Sequence, residues 1–208
     1  MKGIMKKLFF LAIMLVMCFS VEAQTQSQVK QQISRAAAQL RSMRCDFVQT
    51  KHVKMLNQNV VSTGKMYYQR SDKLRWEYVT PYKYSFILNG SKVKINGPRR
   101  SDVINVQRNK VFKEIANIMM SSVVGNCLTD TGSFNVSIAD GKTEWVATLL
   151  PQRKEMKQMF QNIKLYFNKQ NSMVTKVELT EKNGDRTVIV LKNVKANVSI
   201  PANTFSVA

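Results

Sequence analysis

A mainly β chain with helices (α+β), built around one long curled antiparallel sheet, is the fold class that the sequence predicts. Three observations carry this. Apolar and polar residues alternate with period two over several short stretches, Asx-Gly pairs of the kind that turn hairpins separate such stretches, and two segments show helical spacing instead.

The first element in chain order is a leader. Lys2, Lys6 and Lys7 precede an unbroken apolar run from Leu8 to Phe19, and Val21-Glu22-Ala23 supplies a small-residue exit. That order of charge, apolar core and cleavage site predicts a signal peptide over residues 1–23 and export through the inner membrane. The apolar run is shorter than the roughly 20 residues of a spanning helix, so cleavage is expected rather than anchoring. Cys18 follows Met17, where lipoprotein processing requires a small residue, so a lipidated terminus is not expected. Residues 24–208 contain no Pro/Gly/Ser linker, charge block or repeat and read as one domain.

Between Ser27 and Met43 the residues Val29, Ile33, Ala36, Ala37 and Leu40 recur at helical spacing and predict an amphipathic first helix. The period then becomes two. Leu74, Trp76 and Tyr78, then Phe134, Val136 and Ile138, then Ile163, Leu165 and Phe167, then Val177 and Leu179 each read as a half-buried strand. Asn89-Gly90, Asp140-Gly141 and Asn183-Gly184 are the expected hairpin turns, with left-handed positions. A second helical segment, Asn109 to Gly125, carries Val111, Ile115, Ile118, Met119 and Ser122 on one face. A helix in the middle of a β meander covers the sheet, closes an open barrel mouth, or meets a partner, and adjacent methionines make its surface adaptable.

Chemistry by residue type points away from catalysis. His52 is the single histidine and sits beside Lys51 and Lys54, which excludes a multi-histidine metal site. There is no G-x-S-x-G elbow, phosphate-cradling glycine loop, dinucleotide fingerprint or H-E-x-x-H. The reading is therefore of a protein that is not an enzyme and carries no cofactor or metal. The formal net charge of +19 favours anionic partners such as lipid head groups, and export makes nucleic acid an unsuitable one. Beyond the leader two cysteines remain, Cys45 and Cys127; an even count permits one disulfide, and two buried thiols are the alternative. Aromatic residues including Trp76, Tyr78, Phe86 and Trp145 lie on strand faces that either pack a core or surround an apolar ligand.

Three runs then match a known pattern. They are Gly64-Lys65-Met66-Tyr67-Tyr68-Gln69-Arg70, Lys73-Leu74-Arg75-Trp76-Glu77-Tyr78-Val79-Thr80-Pro81, and Leu88-Asn89-Gly90-Ser91-Lys92, preceded by Phe47-Val48-Gln49. Together they resemble the outer-membrane lipoprotein carrier LolA family, and Leu149-Leu150-Pro151, Ile163 to Phe167, Met173 to Leu179, Asn183-Gly184 and Phe205 resemble its second half. Ser71 stands where the family often has proline after the turn arginine.

The resemblance implies an incomplete antiparallel β-barrel, a curled half-barrel with an N-terminal helix and a central lid helix over an apolar cavity. It implies a periplasmic carrier, acting as a monomer, that shields lipoprotein acyl chains between the inner and the outer membrane. Donor and acceptor would be an inner-membrane lipoprotein-releasing ABC transporter and an outer-membrane acceptor. Phe47, Met66, Tyr68, Leu74, Trp76, Tyr78, Phe86 and Leu88 would line the cavity, with Leu74 at its entrance. Arg70, Ile115, Ile118 and Met119 would form the lid and its gate. A carrier of free lipid or glycolipid, and a lipoprotein-sensing regulatory module of similar half-barrel fold, are the alternatives.

Overall fold

The computed structural model describes residues 26–70, 72–108, 120, 126–129 and 132–207. The expected leader, and Ile115, Ile118 and Met119 of the expected lid, lie outside the described residues.

Residues 26–39 form the first helix, α1, which buries Val29 and Ile33. It ends earlier than its periodicity predicts. Met43 belongs instead to the first strand, because this stretch pairs with the far end of the chain. Arg41 N donates to Asn197 Oδ1 at 2.8 Å, and Asn197 N donates to Ser42 O at 2.7 Å.

Among the described residues eleven strands follow: β1 (Ser42–Val53), β2 (Gln58–Gln69), β3 (Lys73–Thr80), β4 (Tyr84–Asn89), β5 (Lys92–Asn96), β6 (Ser101–Asn105), β7 (Phe134–Asp140), β8 (Glu144–Pro151), β9 (Phe160–Asn168), β10 (Val174–Glu181) and β11 (Arg186–Ala196). A short helix, α2 (Lys154–Met159), joins β8 to β9 and buries Met156. All strands belong to one sheet in the order β6-β5-β4-β3-β2-β1-β11-β10-β9-β8-β7. Two antiparallel meanders are thus joined along β1 and β11, and β6 and β7 form the two edges. The sheet is not closed. Register shifts in β1 opposite β11, between β2 and β3, and twice between β9 and β10 supply the local bends that curl such a sheet.

All three Asx-Gly turns link paired strands. Gly90 and Gly184 take positive φ, +60° and +89°, as left-handed hairpin positions require. Gly141 does not, and its glycine has a different cause: a Cβ there would stand 2.7 Å from Glu144 O.

Alternation sorts each strand into an inner and an outer face. The inner face, together with Val29, Ile33 and Leu40, forms one continuous apolar cluster. Met120, the described residue of the expected lid segment, is helical and packs against this cluster. On the outer face Glu178 is buried between Arg186, whose Nη2 donates at 2.8 Å, and Lys176, whose Nζ lies 3.2 Å away. Burial pushes its carboxyl up, but hydrogen bonds from Arg186, Tyr166 and Lys176 together hold it below the ordinary carboxylate range.

No disulfide joins Cys45 and Cys127. Each is buried on a different element, Cys45 on the inner face of β1 and Cys127 in the short turn Asn126–Leu128 ahead of β7. Burial, reinforced by the charge of Asp46, pushes the Cys45 thiol up to about 12, so the side chain packs as a small apolar group.

Candidate functional site

Antiparallel register arranges the inner side chains of the first meander in lateral rows. One row runs Cys45, Met66, Trp76, Phe86, Ile95 across β1 to β5. A neighbouring row runs Met43, Tyr68, Leu74, Leu88, Val93, Ile104 out to β6. The third is Phe47, Gly64, Tyr78, Tyr84. The eight side chains expected to line a cavity therefore fall on one face, in three adjacent rows. Leu74, the second residue of β3, stands in the row beside the β2–β3 turn and is fully buried, flanked by Tyr68 and Leu88.

Gly64 makes the aromatic centre of this face possible. The Phe47 ring lies over it, with centroids 4.5 Å from Trp76 and 5.2 Å from Tyr78, the latter edge-on. Tyr78 OH donates to Gln49 Oε1 at 2.9 Å, and burial pushes its phenol above the ordinary value. Trp76 Nε1 is buried and has no hydrogen-bond partner among the described residues.

The eight expected lining residues lie in the first meander, yet the second meander also contributes apolar side chains to the same cluster. Gln49, Ile189, Val177, Leu165, Ala147 and Ile138 form a row across β1, β11, β10, β9, β8 and β7. Leu165 and Ala147 are fully buried there. The alternation of Ile163, Leu165 and Phe167 was the available signal, since it shows a strand with one buried face.

The face turns polar toward the β1–β2 turn. Lys51 Nζ lies 2.9 Å from Glu181 Oε1 and 3.5 Å from Asp185 Oδ2, and the hydrogen bond to Glu181 foremost holds the ammonium above its ordinary pKa. Asp185 also accepts from Lys54 N at 3.0 Å, which, foremost, depresses its carboxyl.

Arg70 lies at the opposite end, in the β2–β3 turn. Its N–H donates to Arg41 O at 2.7 Å, and its exposed side chain lines an open crevice of about 670 Å³ together with Gln69, Ser42, Asn197 and Ile200. Among the described residues its guanidinium makes no hydrogen bond. Among the same residues no group of His, Cys, Asp and Glu converges to hold a metal ion.

The family model for outer membrane lipoprotein carrier protein LolA matches residues 38–208 of this chain. An outer-membrane lipoprotein carrier protein of Legionella pneumophila (strain Corby) is 30% identical over 202 residues, covering 97% of this chain and 94% of its own. Among solved structures, an uncharacterized conserved protein from Thermus thermophilus is similar with a TM-score of 0.55 at 7% identity, covering 86% of this chain and 91% of its own. The MucA/MucB complex of Pseudomonas aeruginosa is similar with a TM-score of 0.54 at 11% identity, covering 88% of this chain and 60% of the other. At these identities the structural likeness concerns the fold alone.

Proposed function

Because this chain belongs to the outer membrane lipoprotein carrier protein LolA family, we propose that its inner sheet face holds the acyl chains of lipoproteins in transit through the periplasm. Residues 1–23 are the cleaved leader and residues 24–208 one carrier domain. The observation that supports this reading is the continuous apolar cluster spanning both meanders of a sheet that is not closed. Such a face serves a cargo that cannot remain in water. At about 0.8 kcal/mol per buried methylene, one 16-carbon chain left exposed costs roughly 12 kcal/mol.

A carrier must also release. The inner cluster packs against α1 and Met120, so cargo enters by displacing what covers the face, and that competition lowers apparent affinity. The segment carrying Ile115, Ile118 and Met119 is the lid in this reading, and Arg70 its gate. The inner-membrane releasing transporter is the donor and an outer-membrane protein the acceptor.

The test uses an apolar fluorescent probe. Triacyl lipopeptide is expected to displace it from the cargo-free protein, and the deacylated peptide is expected to leave it bound. Arg70→Leu is expected to bind cargo at least as tightly as the parent and to release it more slowly. Equal displacement by the deacylated peptide would mean that polypeptide, not acyl chain, is recognised. Unchanged release from Arg70→Leu would leave Arg70 a solvated turn residue.

A further inference from the structure

The β1–β2 hairpin ends in an apolar tip. Met55 is 90% exposed and Leu56 58% exposed, at the apex of a tight turn closed by Asn57 in the left-handed conformation. β2 continues beyond its last pairing with β3, Thr63 opposite Thr80, so Gln58–Ser62 stand clear of that neighbour over about 17 Å. Val60 and Val61 are exposed on this free length, and Tyr82 is 75% exposed in the adjacent β3–β4 turn.

The tip is braced. His52 Nδ1 lies 3.1 Å from Asn59 Oδ1 across the hairpin, Lys54 N donates to Asp185, and the Lys54 stem passes over Gly184. Antiparallel topology places the turns around Lys83, Arg99, Lys154 and Lys182 on the same rim as Lys54, and all five cations are exposed. Among the described residues the acidic groups of the rim are Glu181 and Asp185, tied to Lys51, Asp102, tied to Arg100, and exposed Glu155.

We propose that this rim docks on the surface of an anionic bilayer, with Met55 and Leu56 inserted at the headgroup boundary and the surrounding lysines and arginines on the lipid phosphates. A narrow convex apex of two apolar side chains ringed by cations has the composition of an interfacial anchor. Each cation near an anionic leaflet contributes about a fivefold factor in binding at low salt. The same rim is where the inner face turns polar at Gln49 and Lys51, so docking presents one mouth of the sheet to the membrane. None of this depends on the cargo, and binding of empty protein to lipid tests it separately from the carrier reading.

The experiment is vesicle flotation with protein lacking residues 1–23, whose apolar run would itself bind lipid. The parent is expected to float with phosphatidylethanolamine–phosphatidylglycerol vesicles, more weakly as salt rises, and to stay below phosphatidylcholine vesicles. The double variant Met55→Asp, Leu56→Asp is expected to lose about tenfold or more of that partition. Ser91→Asp, at an exposed position of the β4–β5 turn on the opposite rim, is expected to lose none. In a second measurement the emission of Met55→Trp, taken as the difference from the parent with its buried Trp76 and Trp145, is expected to shift to the blue on adding anionic vesicles. Failure of the parent to float, equal flotation of the double variant, or an unshifted emission would overturn the proposal. Loss of transfer to an acceptor protein in the double variant, with flotation intact, would also overturn it in favour of a protein partner.

Discussion

Replacing Gly64 with alanine is expected to destabilise the protein by about 3 kcal/mol or more, because the position admits no side chain. A Cβ there would stand 2.0 Å from Glu77 O and 2.5 Å from Phe47 Cζ. The first neighbour is backbone of β3, so relief requires β2 and β3 to separate at the register shift between Thr63 and Gly64. The second is the ring that stacks on Trp76, so the same substitution disturbs the aromatic centre of the inner face. At about 2–4 °C per kcal/mol for a chain of this size, melting should fall by roughly 6–12 °C. Gly97→Ala is the control. Its Cβ would meet nothing nearer than 3.7 Å, its φ lies outside the left-handed region, and reduced freedom of the unfolded chain should raise stability by about 0.4–1 kcal/mol. Thermal unfolding of the two variants beside the parent decides it. A Gly64→Ala protein that melts with the parent would show that the strands absorb the methyl group.

The second large effect lies on the other face of the sheet. Phe205 is fully buried at the end of the short turn Ala202–Phe205, against β3 and β4, where Ile87 is buried on the outer side. Two long-range hydrogen bonds hold this tail: Arg75 Nη1 donates to Thr204 O at 3.3 Å, and Asn89 Nδ2 donates to Phe205 O at 3.0 Å. Phe205→Ala is expected to cost about 3–5 kcal/mol through lost burial and the cavity left behind. Probe affinity, measured well below the melting temperature, should nevertheless match the parent, because Phe205 and Ile87 stand outside the inner apolar cluster. Trp76→Ala should show the opposite pattern in affinity. Calorimetry and probe titration of both variants separate the two faces, and a Phe205→Ala protein with weakened probe binding would show that the tail shapes the inner face.

Much of this architecture was legible because it is local. The alternation of Leu74, Trp76 and Tyr78 marks a half-buried strand whatever lies beside it, and the Asn89-Gly90 and Asn183-Gly184 pairs carry their own backbone requirement. The resemblance around Gly64, Arg75-Trp76 and Asn89-Gly90 then placed the inner residues of the first meander, and register gathers all eight on one face. What escaped depends on partners far away in sequence. Met43 reads as helical, yet it is drawn into β1 by pairing with the chain around Asn197. β6 alternates exposed Ser101, Val103 and Asn105 with half-buried Asp102 and Ile104, too weak a contrast to announce a strand. Phe205 resembles a closing family residue, but nothing near it in sequence says that it packs on the outer face. The apolar tip at Met55 and Leu56 was also missed, because two exposed apolar residues in a turn look the same in a sequence as two buried ones.

The central claim is that acyl chains lie on the inner face. A triacyl lipopeptide bearing a photoreactive diazirine within one acyl chain, irradiated in complex with the protein and mapped by mass spectrometry, tests it most directly. Cross-links are expected on inner residues of both meanders, among them Phe47, Met66, Trp76, Leu88 and Leu165. Cross-links confined to outer residues such as Ile87 and Val103, or to the crevice beside Arg70 and Asn197, would contradict the account.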